Sequence, residues 1–101
     1  MSFARINMVE FDTEEDLKLR QKYLAEKTKE LFPDAELIAG VRTGDKSFMT
    51  ISVYPTEDMA EAAKNARDSM LHSAPGLLTD ILSLEGDLTL FNMKQPTAVE
   101  L

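Results

Sequence analysis

The chain has 101 residues, 44% of them apolar, enough for a single domain around one core. Eighteen acids against eleven bases leave a net charge of -7, so no basic surface for nucleic acid is expected, and the absence of cysteine removes disulfides, thiolate metal sites and cysteine nucleophiles. No apolar run has the length of a membrane span, and residues 1–7 lead into no signal-peptide core; the expectation is a cytoplasmic protein with neither membrane nor nucleic acid as partner.

Residues 3–11 alternate with apolar side chains on both faces, Phe3, Val9 and Phe11 on one and Ala4, Ile6 and Met8 on the other, which predicts a strand covered on both sides. Thr13 follows as a helix cap, with Glu14, Glu15 and Asp16 suited to the positive end of the dipole. Leu17, Leu24, Thr28 and Leu31 make the inward stripe of a helix of about five turns that Pro33 ends. Residues 36–42 and 48–54 are predicted to form a hairpin around the turn at residues 43–47. In its second arm Met49, Ile51 and Val53 share one face; Phe48, Thr50, Ser52 and Tyr54 share the other, a mixed surface suited to packing or binding.

Pro55 and Thr56 break that strand and cap a second helix, residue 57 to about 71, with an inward stripe of Met59, Ala63, Ala66 and Met70. Ala74-Pro75-Gly76 interrupts it, and Leu77, Leu78, Ile81 and Leu82 have the spacing of a short amphipathic turn or two. The last strand is expected at residues 88–93, closing a single domain at 1–95 with a tail at 96–101.

Strand, helix, strand, strand, helix, strand is the split βαβ order of a ferredoxin-like α+β domain: a four-stranded antiparallel sheet with two helices on one face. The other face would expose Met, Phe and Leu together, so a homodimer packed sheet to sheet is expected. This order, the length and the stretch Ser52-Val53-Tyr54-Pro55-Thr56-Glu57-Asp58-Met59-Ala60-Glu61-Ala62-Ala63 resemble the dimeric α+β barrel superfamily that includes antibiotic biosynthesis monooxygenase-like proteins. The resemblance implies an oxidoreductase of the cofactor-independent kind, in which a small aromatic or hydrophobic substrate itself supplies electrons to oxygen. It also implies two rivals: a non-catalytic ligand-binding or structural dimer, and a haem-binding or haem-degrading protein.

The haem-degrading branch uses an asparagine on the first strand, a tryptophan on the second helix and a histidine near that helix's end. Asn7 and His72 stand at the first and last of these places, but the chain has no tryptophan, and Ala62 lies ten residues before His72. The oxygenase reading takes Arg5, Asn7, Arg42, Tyr54 and His72 as the polar groups of an apolar pocket, and Asn7, Arg42, Tyr54 and His72 as the catalytic candidates. His72 or an anion partner would act as base, and Arg42 would steady a phenolate. Each has a simpler alternative: His72 a charge partner at a helix end, Arg42 a hairpin charge in water, Tyr54 an interface aromatic, Asn7 a backbone-bonding amide. Met59, Met70 and Met93, with Ala62, Ala63 and Ala66, would leave an adaptable cavity or a filled core beneath the second helix. No cofactor or metal is called for. The string Gly40 to Ser47 is a hairpin turn rather than a phosphate loop, because a strand and not a helix follows it.

Overall fold

The computed structural model describes residues 2–92, the side chain of His72 excepted. Six elements follow one another: β1 (Phe3–Phe11), α1 (Glu14–Leu31), β2 (Leu37–Arg42), β3 (Ser47–Tyr54), α2 (Glu57–Ser73) and β4 (Leu78–Asp87). The strands form one antiparallel sheet in the order β2-β3-β1-β4, and both helices pack on one of its faces. This is the ferredoxin-like α+β architecture.

The helix starts follow from their caps. The Thr13 hydroxyl accepts from the Asp16 amide and donates to the Asp16 carboxylate, and the Thr56 hydroxyl accepts from the Met59 amide. α1 buries Leu17 and half-buries Leu24, Thr28 and Leu31, as its apolar spacing requires. Between Leu17 and Leu24 the same face carries Arg20, which is 3% exposed. Its Nε donates to the Pro75 carbonyl at 2.9 Å, and its Nη2 donates to those of Gly76 and Ala74 at 2.9 and 3.4 Å. The guanidinium therefore closes the C-terminal end of α2 and ties the α2–β4 loop to α1. Burial pushes the Arg20 guanidinium below its ordinary range, with the Tyr23 hydroxyl opposing. In the same loop Gly76 has φ +100, and a Cβ there would stand 2.4 Å from the Asp16 carbonyl oxygen, so only glycine fits.

Three sequence expectations are corrected. The last strand is Leu78–Asp87, not residues 88–93, and no helical turn forms around Leu77, Leu78, Ile81 and Leu82. In β4 it is Leu82 and Leu84 that share the face turned away from the helices, and Ile81, Ser83 and Glu85 that face inward, opposite Val9, Asn7 and Arg5. The expected strand loses its place: Leu88 donates its amide to Ser2 just beyond the sheet, Leu90 and Phe91 are exposed, and Met93 with the boundary at 95/96 lies outside the described residues. The inward stripe of α2 is also rotated. Ala60, Ala63, Arg67 and Met70 turn toward the sheet, while Met59 is 40% exposed.

Strict alternation places Ile6, Met8, Leu37, Ala39, Val41, Met49 and Ile51 with Leu82 and Leu84 on the helix-free face. Met8, Val41, Leu82 and Leu84 are each about half exposed there. No helix among the described residues is long and apolar enough to cross a membrane.

Replacing Arg20 by Met keeps the aliphatic stem but leaves the Pro75 and Gly76 carbonyls without their donor; urea denaturation should show a loss of about 2–3 kcal/mol. The Thr13 hydroxyl, helped by the Leu77 backbone, holds the Asp16 carboxyl below the ordinary aspartate value of 3.8. The stability Asp16 contributes is then present above that value and lost as pH falls through the lower folded one. Side-chain NMR titration should place Asp16 closer to 3.8 in Thr13→Val than in the parent.

Candidate functional site

The helix-facing side of the sheet can be read as rows of cross-strand neighbours. One row runs Ile38, Ser52, Arg5, Glu85 and the next Gly40, Thr50, Asn7, Ser83. On one side of these polar rows lies Phe3 beside Tyr54; on the other Val9 lies between Phe48 and Ile81. A polar band thus crosses the middle of the sheet and parts the core into two clusters, Phe3, Tyr54 and Ala60 on one side, Val9, Phe11, Leu17 and Phe48 on the other.

Over this band, between sheet and helices, is a partly open cavity of about 730 Å³. Arg5, Asn7, Thr50 and Ser52 form its floor, with the rings of Phe48 and Tyr54 at either side. The α1 wall runs from Gln21 through Leu24 and Thr28 to Phe32, and α2 contributes Arg67 and Met70. Gly40 contributes by what it lacks: a Cβ would come within 2.8 Å of the Phe48 ring, so the glycine gives that ring its place in the wall.

The floor is held by charge. Arg5 is 1% exposed and its Nε donates to Glu85 Oε2 at 3.1 Å, while its Nη2 is buried with no hydrogen-bond partner. Arg67 reaches down from α2, its Nη1 donating to Asn7 Oδ1 at 3.3 Å and to Ser83 Oγ at 3.0 Å, its Nε and Nη2 held by Asp68. The Ser83 hydroxyl also donates to Asn7 Oδ1. With its carbonyl oxygen engaged twice, Asn7 has its amide N–H groups to offer a ligand.

Of the four catalytic candidates, Asn7 and Tyr54 come together in this wall. Tyr54 is 1% exposed and faces the helices, not the helix-free side, which corrects the interface alternative for it. Arg42 is elsewhere: at the hairpin end it bonds the Gly44 and Asp45 carbonyls and pairs with Glu14 at 3.5 Å, outside the cavity lining. Glu14 is held below the ordinary carboxylate range by Lys18 first and by Arg42 second. His72 belongs to α2, and its side chain is outside the described part of the structure. Met70 lines the cavity; Met59, Ala62, Ala63 and Ala66 do not, and Met93 is outside the described residues.

Sequence reasoning missed Arg67, whose signal was its position three residues before Met70 and four after Ala63 on one helix face. Arg5, by contrast, is legible from alternation, which sets it with Phe3, Asn7, Val9 and Phe11 on one face.

No family model and no curated protein sequence matches the chain. Solved structures do. A dimeric ferredoxin-like protein from an uncultured marine organism is 13% identical over 93% of each chain, with a TM-score of 0.71. A monooxygenase of Streptomyces coelicolor, solved in complex with nanaomycin D, is 12% identical over 93% of each chain, TM-score 0.69. The haem-degrader of Mycobacterium tuberculosis, with two haems in its active site, is 17% identical over 90% of this chain and 99% of its own, TM-score 0.67. The chain has the fold of the dimeric ferredoxin-like and antibiotic biosynthesis monooxygenase-like proteins.

Because Arg5 is buried and Glu85 only partly so, Glu85→Ala should cost about 2 kcal/mol in chemical denaturation, below the roughly 3–5 kcal/mol of a fully buried pair.

Proposed function

We propose that this is a cytoplasmic homodimer whose sheet-to-helix cavity binds a small aromatic or hydrophobic molecule and oxidises it as a cofactor-independent monooxygenase. The observation that carries the reading is the cavity of about 730 Å³, in which apolar rings flank a narrow band of fixed polar groups. That is the usual make-up of a small-molecule site. The structural likeness to a monooxygenase supports the reaction class.

For a phenolic ring the balance is simple: one oxygen atom of O2 enters the ring, the other leaves as water, and the substrate becomes a quinone. The protein's part is to orient the ring and to favour the phenolate that gives up electrons. Cations on the floor lower the cost of that negative charge, the Tyr54 hydroxyl and Asn7 amide hold the oxygen, and His72 is the proposed base. Arg5 and Arg67 take the role that the sequence suggests for Arg42.

A non-catalytic ligand-binding dimer is the second reading, favoured by one observation: among the described residues the cavity wall holds no carboxylate. Oxygen uptake with a panel of polycyclic phenols separates the two. Under the oxygenase reading Asn7→Ala and Tyr54→Phe each lower kcat/KM at least about tenfold, and unchanged values would remove both from the site. Haemin titration tests the third reading: a Soret shift that His72→Ala abolishes would replace the oxygenase assignment with haem binding.

The homodimer rests on the helix-free sheet face, where half-exposed Met8, Val41, Leu82 and Leu84 form an apolar surface that a second copy would cover. The dimeric neighbour of the same fold supports it. Light scattering should give twice the 11.3 kDa chain mass, and Leu82→Glu combined with Leu84→Glu should give a monomer.

A further inference from the structure

On the reading that the cavity is a ligand site, we infer that its ligand is an aromatic molecule bearing an ionised carboxylate, and that the Arg5 guanidinium receives that carboxylate. Arg5 sits in the floor with a buried Nη2 that no protein group satisfies, while Glu85 takes only its Nε. A buried donor on a charged group is costly to leave unmade, and Arg5 is part of the cavity lining. An anionic oxygen entering there completes the hydrogen bonding of the guanidinium.

The charges around it point the same way. In a chain with eighteen acids and eleven bases, the lining has Arg5, Lys22, Lys29 and Arg67 and no acid among its described residues. The acids paired with the two arginines, Glu85 with Arg5 and Asp68 with Arg67, do not line the space. An acidic protein thus carries a cationic cavity, with exposed Lys22 and Lys29 on α1 drawing in anions. A carboxylate, ionised throughout the neutral range, meets this field with a full charge; a phenol, with an unperturbed value of about 10, enters neutral. Phe48 and Tyr54 flank the floor and set the rest of the ligand as a flat apolar body.

The test is a calorimetric titration of the full chain at pH 7 with 2-naphthoate, 2-naphthamide and 2-naphthol, three probes with one ring system. The naphthoate should bind at least about tenfold tighter than either neutral probe, the usual scale of a charge-assisted hydrogen bond. Its affinity should fall with added salt while that of the amide does not. Arg5→Met alone leaves Glu85 without its partner, so the variant to use is Arg5→Met with Glu85→Met, checked for folding by circular dichroism. It should bring the three affinities level. If that variant is unfolded, the wild-type comparison of the three probes decides alone. Equal binding of naphthoate and either neutral probe by the wild type, or a preference that survives in the folded double variant, would overturn the carboxylate inference and leave the cavity reading standing. Failure of all three to bind would overturn both.

Discussion

A guanidinium on the inward face of a β-sheet must find its hydrogen-bond partners there, and much of this molecule is arranged around that constraint. Arg5 lies on β1, one of the central pair of strands, and its partner comes from a neighbouring strand. Glu85 is that partner, directly opposite in the β1–β4 register. The pair gives β4 a reason to turn Glu85 and Ser83 inward and its leucines outward. A slip of one residue would point Leu84 at the guanidinium and Glu85 away from it, so charge and hydrophobic pattern select the same register.

The polar band also explains why there is a cavity. Side chains that carry charge and amide groups do not interdigitate with leucines, and the core accordingly condenses on either side of the band instead of across it. The helices are pinned at particular points. Arg20 binds the start of α1 to the end of α2, Ala60 packs the start of α2 on Phe3 and Tyr54, and Arg67 spans from α2 to the sheet. Between these points the two layers stand apart, and the volume above Arg5 and Asn7 stays open.

The two sides of the sheet therefore have different duties, and the period of two is what keeps them apart. Residues at one parity carry the band and the cavity; residues at the other form a continuous apolar surface without charge until Glu10 and Asp80 at its end. Association through the second side would leave the first untouched, since no lining residue of the cavity lies on it. The cavity and the apolar surface are thus built from different side chains of one small domain.

The sequence by itself determined the element order, both N-caps, the end of α1 near Pro33, the mixed face of β3 and the apolar helix-free face, because each depends on local chemistry or a short period. It also placed Arg5 and Asn7 on one face. Tertiary structure decided the bounds of β4, since Leu77, Leu78, Ile81 and Leu82 carry helical spacing while Leu82-Ser83-Leu84-Glu85 alternates, and pairing along β1 settles the conflict in favour of a strand. It decided the site in the same way. Arg42 and Arg67 are alike as letters, and only the packing of α2 over the sheet brings one to the cavity while the hairpin carries the other to Glu14. Long side chains take their role from what lies within reach, and reach is a property of the folded chain.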